Sequence, residues 1–334
     1  MGKKKSPKRL WKDLFDHKAL QRPLFIPLVY SYASRIGRMP FQEMLSDSTR
    51  FAKALMSAQE LFGYDAVLSH YDPYLELELL GRSFEWVPKG VKEMVLSSGG
   101  KSAVTDREII VAEVPPVNLI FDAAAEMREV IGQDIPVIGV VNSPVTLLRA
   151  ILRDRFSLKE ADFPEAKVFL NDIQGIVLDL VKAYCNLRVD AIWLIEEDWE
   201  GIEASEVERI KPIYQTFWNV LDYFDVRSIM AFHRYDIAEL ETYFSIGADA
   251  VFFAGAQAYD IELEKLSVLM ERNEICAGVA CPFPDSADRS ALFDSILSQV
   301  MDAGSGFFLS TPLEVALDTP IESLTEMVER ITEP

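Results

Sequence analysis

Cysteine is scarce in this chain. Its three thiols, Cys185, Cys276 and Cys281, are too few and too scattered for a disulfide framework. Long apolar stretches are missing as well. None reaches 18 residues, so no segment is expected to span a membrane. Positive charge is the third shortage: 33 Lys and Arg stand against 53 Asp and Glu, for a formal charge of −20. A body this acidic argues against nucleic acid, whose binding is driven by counterion release from phosphates. It also disfavours polyanionic small molecules unless their site is locally basic. Six basic residues (Lys3, Lys4, Lys5, Lys8, Arg9, Lys12) crowd into the first twelve positions, which hold no acid. A signal peptide would need an apolar core after them. Instead Trp11-Lys12-Asp13-Leu14-Phe15-Asp16-His17 is amphipathic and broken by charge. Residues 1–22 therefore read as a basic, solvated and frayed lead-in, with a short helix at 8–16, and the protein reads as cytoplasmic.

What the chain does have is apolar mass: 49% of its 334 residues are hydrophobic, enough for one large core over residues 23–334. That mass falls into eight short runs, at 24–30, 66–71, 137–141, 191–195, 228–232, 250–254, 275–280 and 306–309. Unalternated apolar runs read as strands buried on both faces. Helical spacing fills the gaps. Asp47 caps a helix that carries Phe51, Leu55, Ala58 and Phe62 and stops at Gly63. Asp162 heads a long helix over 163–187 with Leu170, Ile173, Val177, Leu180 and Val181 on its inner face. Others are expected at 117–131, 146–153, 203–222, 236–245, 260–272, 286–302 and 320–332. Eight strands alternating with helices predict an α/β fold, the (β/α)8 TIM barrel, as a single domain. Residues 82–116 interrupt it as a cap insertion. Ser97-Ser98-Gly99-Gly100 looks like a hairpin turn there, and such an insertion over a barrel mouth serves as a lid.

The runs end in polar tips. Residues 191–195 lead into Glu196, Glu197 and Asp198, which are costly to bury unless paired or set in a wet mouth. Residues 228–232 lead into His233, and the second run leads into His70, Tyr71 and Asp72. Barrel chemistry sits at the carboxyl ends of the strands, so these tips are the candidate site. Asp72 and His233 are the primary catalytic candidates, with Arg35 beside the first tip. His70 shares the facing of Asp72. Tyr30 and Tyr32 offer a hydroxyl or a ring wall, and Asn142 and Gln257 are suited to orienting a substrate. The bland readings are a turn cap for Asp72, a satisfied core group for His233, and a surface ion pair for Arg35. Cys185 and Cys276 read as core.

The order of these features resembles the uroporphyrinogen decarboxylase superfamily, which includes that decarboxylase and methyltransferases that move methyl groups to or from corrinoid proteins. The resemblance runs from about residue 20 to the end. It rests on Ser31-Tyr32-Ala33-Ser34-Arg35, Phe62-Gly63-Tyr64-Asp65-Ala66, Asp72 with Gly81, Ser143-Pro144-Val145-Thr146-Leu147 and Leu309-Ser310-Thr311. It implies the barrel and places Asp72 at the family's pyrrole-binding aspartate and Arg35 at one carboxylate-binding arginine. The family's second arginine falls on Ser31, its tyrosine on Ala150 and its last histidine near Leu313. In the thiol-directed zinc methyltransferases a His-x-Cys and a later Cys hold the metal. Here His233 matches the histidine, while Tyr235 and Leu313 stand where the cysteines would be. A harder zinc site remains open, built from His233 with one or more of Glu196, Glu197 and Asp198, and with Cys281.

Three functions follow as expectations. The first is an enzyme that moves a methyl group between a small methylated substrate and a corrinoid protein. Zinc assists, and a partner supplies the corrinoid, because no His-rich or Gly-rich cobalamin motif is present. The second is a metal-free carboxy-lyase using Asp72 and Arg35 on a small carboxylated substrate. Authentic uroporphyrinogen is disfavoured, because its carboxylates would face Glu196, Glu197 and Asp198. At an effective dielectric of about 20, each like-charge pair at ~6 Å costs about 2–3 kcal/mol. The third is a binding barrel without catalysis. A monomer or homodimer is expected.

Overall fold

The computed structural model of the chain describes residues 5–80, 82, 84–87, 91–94, 113–152, 157–159 and 161–332. Its strands are β1 (Leu24–Phe25), β2 (Val67–Leu68), β3 (Phe84–Val87), β4 (Val91–Met94) and β5 (Val137–Asn142), followed by β6 (Ala191–Glu196), β7 (Arg227–Phe232), β8 (Ala250–Phe253), β9 (Cys276–Ala280) and β10 (Phe307–Ser310). Eight of them form one parallel sheet in the order β1-β10-β9-β8-β7-β6-β5-β2, which is the expected TIM barrel. Helices lie between: α1 (Pro7–Phe15), α2 (Tyr32–Ile36), α3 (Phe41–Met44), α4 (Ser48–Phe62), α5 (Leu75–Leu79), α6 (Val117–Val130) and α7 (Pro144–Leu152). The series continues with α8 (Phe163–Asn186), α9 (Ala204–Phe224), α10 (Leu240–Phe244), α11 (Leu263–Asn273), α12 (Ala287–Ala303) and α13 (Ile321–Thr332).

Local chemistry sets these bounds. Asp47 accepts the Arg50 N–H at 2.8 Å to open α4, and Gly63 closes it at φ 75°. Pro27 has no N–H to give a ladder, so the first run pairs as a strand only at Leu24 and Phe25. The segment expected as a helix at 236–245 divides into a tight turn at Ile237–Glu239 and α10. Asp162 stands at the start of α8 without a side-chain capping bond. Within the insertion, β3 and β4 pair antiparallel. The turn expected at residues 97–100 lies outside the described residues.

The barrel interior is filled from alternate strands. Trp193 of β6, Phe252 of β8 and Phe308 of β10 meet with ring centroids 4.9–6.1 Å apart. That is the layer arrangement of a packed barrel core. Gly278, level with Phe252 and Phe308 on the intervening β9, makes room: a Cβ there would stand 2.2 Å from the Phe308 ring. β1 and β2 end the strand order, and Asp65 spans the seam between them. Its N–H donates to Phe25 O at 2.9 Å, and its carboxylate accepts the Phe25 N–H at 2.8 Å. The same buried carboxylate holds both terminal nitrogens of Arg22, at 2.6 and 2.7 Å.

From Lys5 onward the N-terminal lead-in is not frayed. In α1, Leu10, Trp11, Leu14 and Phe15 are buried. Lys8 N–H donates to Asp134 O at 3.1 Å, its ammonium reaches Gly132 O and Asp190, and Leu14 O accepts the Cys276 thiol. All of these partners lie at or before the starts of strands, so α1 crosses the barrel floor. The apolar stripe that denied it a signal-peptide reading is what docks it.

Candidate active site

β7 delivers His233 to the mouth. Three contacts hold it there: its N–H donates to Glu196 O at 2.9 Å, Arg234 N–H donates to Glu197 O at 3.2 Å, and Gln257 Nε2 donates to His233 O at 3.1 Å. The ring bridges two groups. Nδ1 lies 2.8 Å from Glu197 Oε2, and Nε2 lies 2.5 Å from the Tyr71 hydroxyl. A carboxylate beside Nδ1 fixes the proton on that nitrogen, which leaves Nε2 to accept from the Tyr71 O–H when the ring is neutral. Burial pushes the Tyr71 phenol well up, and the charges of Glu197 and Glu314 push it further, so it stays protonated. The result is a carboxylate–imidazole–phenol chain, with Tyr71 buried and Glu197 open to solvent.

Glu314 approaches from the loop after β10. Its Oε1 accepts the Ser31 N–H at 2.6 Å, and Val315 N–H ties the same loop to Leu28 O. Burial and the nearby Asp72 charge raise its carboxyl to about 7. Gly255 N–H reaches Pro312 O at 2.7 Å, so this loop is stitched on both sides. Asp72 accepts the Tyr74 N–H at 2.9 Å and lines a cavity of about 390 Å³ beside the mouth. Tyr30 lines it too.

The other expected site residues go elsewhere. His70 is buried, with Nδ1 3.1 Å from Ser69 Oγ and 3.3 Å from the Tyr184 hydroxyl, inside the core. Asn142 is engaged by the protein itself: its backbone N–H and Nδ2 both donate to the buried Glu76, at 2.8 and 2.6 Å. Burial raises the Glu76 carboxyl to about 7. Gln257 positions His233. Tyr32 gives its hydroxyl to Thr319 O at 3.1 Å. Arg35 gives its guanidinium to Thr319 O at 2.5 Å and Leu317 O at 3.4 Å, so its cation serves a loop instead of a carboxylate substrate.

The zinc set does not assemble. Glu196 is fully buried and takes hydrogen bonds from Tyr214 and from Thr146 Oγ1. Burial raises its carboxyl, against the pull of those bonds. Asp198 pairs with Arg149 at 2.7 Å and with Arg234 at 3.6 Å. Cys281 is fully buried and donates to Ser310 O; burial pushes its thiol up, away from the thiolate that a metal needs. Only Glu197 of the four partners joins His233. Among the described residues, no three His, Cys, Asp or Glu gather so as to hold a metal ion.

Two members of the site were missed in the sequence. Tyr71 stands between His70 and Asp72, and strand alternation sends it to the other side from both. Glu314 lies five residues past the eighth apolar run, outside the strand tips that draw attention in the sequence.

A family model described as uroporphyrinogen decarboxylase matches residues 7–251. The chain belongs to that family. Among solved structures, a methyltransferase from Methanosarcina mazei matches with a TM-score of 0.75 at 13% identity, over 98% of each chain. A sugar phosphate isomerase/epimerase from Parabacteroides distasonis matches at a TM-score of 0.46 and 9% identity, over 94% of this chain and 97% of that one. No curated protein matches. Among the described residues, no helix of this family member is long and apolar enough to cross a membrane.

Proposed function

We propose that this member of the family moves a methyl group between a small methylated substrate and a corrinoid protein, with proton transfer in place of a metal at the leaving atom. The observation that carries this reading is the Glu197–His233–Tyr71 chain at the mouth. The corrinoid, carried by the partner, supplies the group that exchanges methyl with the substrate. In the direction of demethylation, the carbon–oxygen bond of a methyl ether breaks and its oxygen must gain a proton. Tyr71 gives its hydroxyl proton to that oxygen and takes one back from the His233 imidazolium, which Glu197 holds by charge and hydrogen bond. In reverse, neutral His233 draws the proton from the substrate hydroxyl through Tyr71. The methyltransferase fold over the full length is consistent with this assignment.

The carboxy-lyase reading is weaker, because its arginine anchor, Arg35, is committed to Thr319 O and Leu317 O. The test is a demethylation assay with a corrinoid protein and a panel of methyl ethers, comparing wild type, His233→Ala and Tyr71→Phe. Methyl transfer in the wild type and its loss in both variants supports the reading. Release of carbon dioxide from a carboxylated substrate, unchanged by Tyr71→Phe, overturns it.

A further inference from the structure

The floor of the barrel, opposite the mouth, carries a groove of about 810 Å³, lined by Trp11 and Phe15 of α1 and by Phe224 at the end of α9. The Trp11 and Phe15 rings pack together with centroids 4.9 Å apart. Beside the groove stands Tyr223, on the last turn of α9. It is 83% exposed, more than any other bulky apolar side chain among the described residues. Phe224, itself 39% exposed, meets its ring edge-on at 5.1 Å. A tyrosine ring so fully in water contributes little to the fold. An exposed aromatic knob next to an aromatic-lined groove has the composition of a protein contact surface.

Charge decides which protein fits. The chain carries −20 overall, so two copies repel unless they meet on a face where charge balances. The groove is such a face: Lys12, Arg188 and Arg227 line it together with Asp16, Asp190 and Asp225. Some of these are already neutralised. Asp190 is held by Lys8 and Arg128, Asp16 by Lys18, and Arg227 by Asp249. Lys12 and Arg188 have no ion-pair partner among the described residues, and neither do Asp225 and, one turn earlier on α9, Asp222. The two cations come from α1 and the turn after α8, and the two acids from the end of α9. A surface that meets its own copy across a twofold axis needs both signs, set apart, so that each half faces the opposite half. A partner of one sign would satisfy one half and repel the other.

We infer that the floor groove is the contact surface of a twofold dimer, in which Tyr223 of each copy enters the groove of the other and Lys12 and Arg188 face the second copy's Asp222 and Asp225. The rings supply most of the affinity, and the exposed charges set the register. Pairing by the floor leaves both mouths uncovered, so each barrel keeps its own access to substrate. The inference is independent of the methyl-transfer reading.

The experiment is sedimentation velocity on the full chain, with the melting temperature followed to show that each variant is folded. The wild type should be a dimer at about 10 μM. Tyr223→Glu, at an exposed position, should raise the dimer Kd at least about 10-fold without lowering the melting temperature. Arg188→Glu and Asp225→Lys should each self-associate about 10-fold more weakly or worse. Mixed in equal amounts, those two variants should recover the wild-type affinity, because both cross-contacts then join opposite charges. A monomeric wild type at that concentration, a dimer indifferent to Tyr223→Glu, or no recovery on mixing would each overturn the inference. A monomer whose melting temperature rises with added pyrophosphate would also overturn it, and would give the groove to a small anion.

Discussion

The carboxyl ends of β2 and β6 carry the same kind of triplet, His70-Tyr71-Asp72 on one side and Glu196-Glu197-Asp198 on the other, and the barrel sorts each by position. The first member of each sinks into the core, His70 beside Ser69 and Tyr184, and Glu196 beneath Tyr214 and Thr146. The middle member reaches the mouth, and the two middle members meet through His233. The third members differ. Asp198 is neutralised by Arg149 and Arg234, whereas Asp72 lines a cavity. Alternation decides who can meet, and the neighbouring helices set what each acid faces.

The comparison can be broken in order of expected effect. Removing the hub where the two triplets meet should cost most. His233→Ala or Tyr71→Phe should lower the proposed methyl transfer about 10²–10⁴-fold in steady-state rates, and in calorimetry His233→Ala should be the more destabilised of the two, because it strands the buried Tyr71 hydroxyl. Next come the first and middle members of β6, which should trade places. Glu196→Ala removes a buried carboxyl and strands the Tyr214 and Thr146 hydroxyls, so it should destabilise by about 2–4 kcal/mol in urea unfolding. Glu197→Ala should cost under ~1 kcal/mol of stability while slowing turnover at least about 10-fold. Equal stability losses in the two variants would dismiss the sorting argument.

A third effect is set by pH. Glu76 and Glu314 are both raised in the folded protein, to about 7, from an ordinary value of 4.5. Their protonated forms favour the fold. The stability they contribute is complete below about pH 4.5 and is lost as pH rises through about 7. The melting temperature, followed from pH 5 to 8, should therefore fall on this account, and Glu76→Gln should flatten the fall. The smallest effect belongs to Arg35→Ala, which removes an exposed side chain bonded to loop carbonyls. It should change stability by about 1 kcal/mol or less and leave rates within about 2-fold.

Much of the fold was legible in the sequence because buried parallel strands leave an unmistakable trace: eight apolar runs, seven of them unbroken by proline. The site was legible only in part. His233 and Glu197 could be found from their place at strand ends. Which of Glu196, Glu197 and Asp198 faced the mouth could not, because that choice depends on Tyr214, Thr146, Arg149 and Arg234, contributed by helices and loops that sequence spacing does not place in three dimensions. The bonds that hold Arg35 and Asn142 within the protein were illegible for a related reason. Their partners, Thr319 O and Glu76, lie 284 and 66 residues away in the chain. Tyr71 was hidden by its apolar company, since a tyrosine at a strand end reads as core.

The position of α1 bears on how the chain is made. This helix and β1 are translated long before their partners: Cys276 meets Leu14 across 262 residues, and β10 supplies the only ladder of β1 among the described residues. The apolar stripe of this helix must therefore wait, in part uncovered, until β9 and β10 have been translated. A stalled or C-terminally shortened product would expose that stripe and an open strand edge together, which makes it a ready client for chaperones.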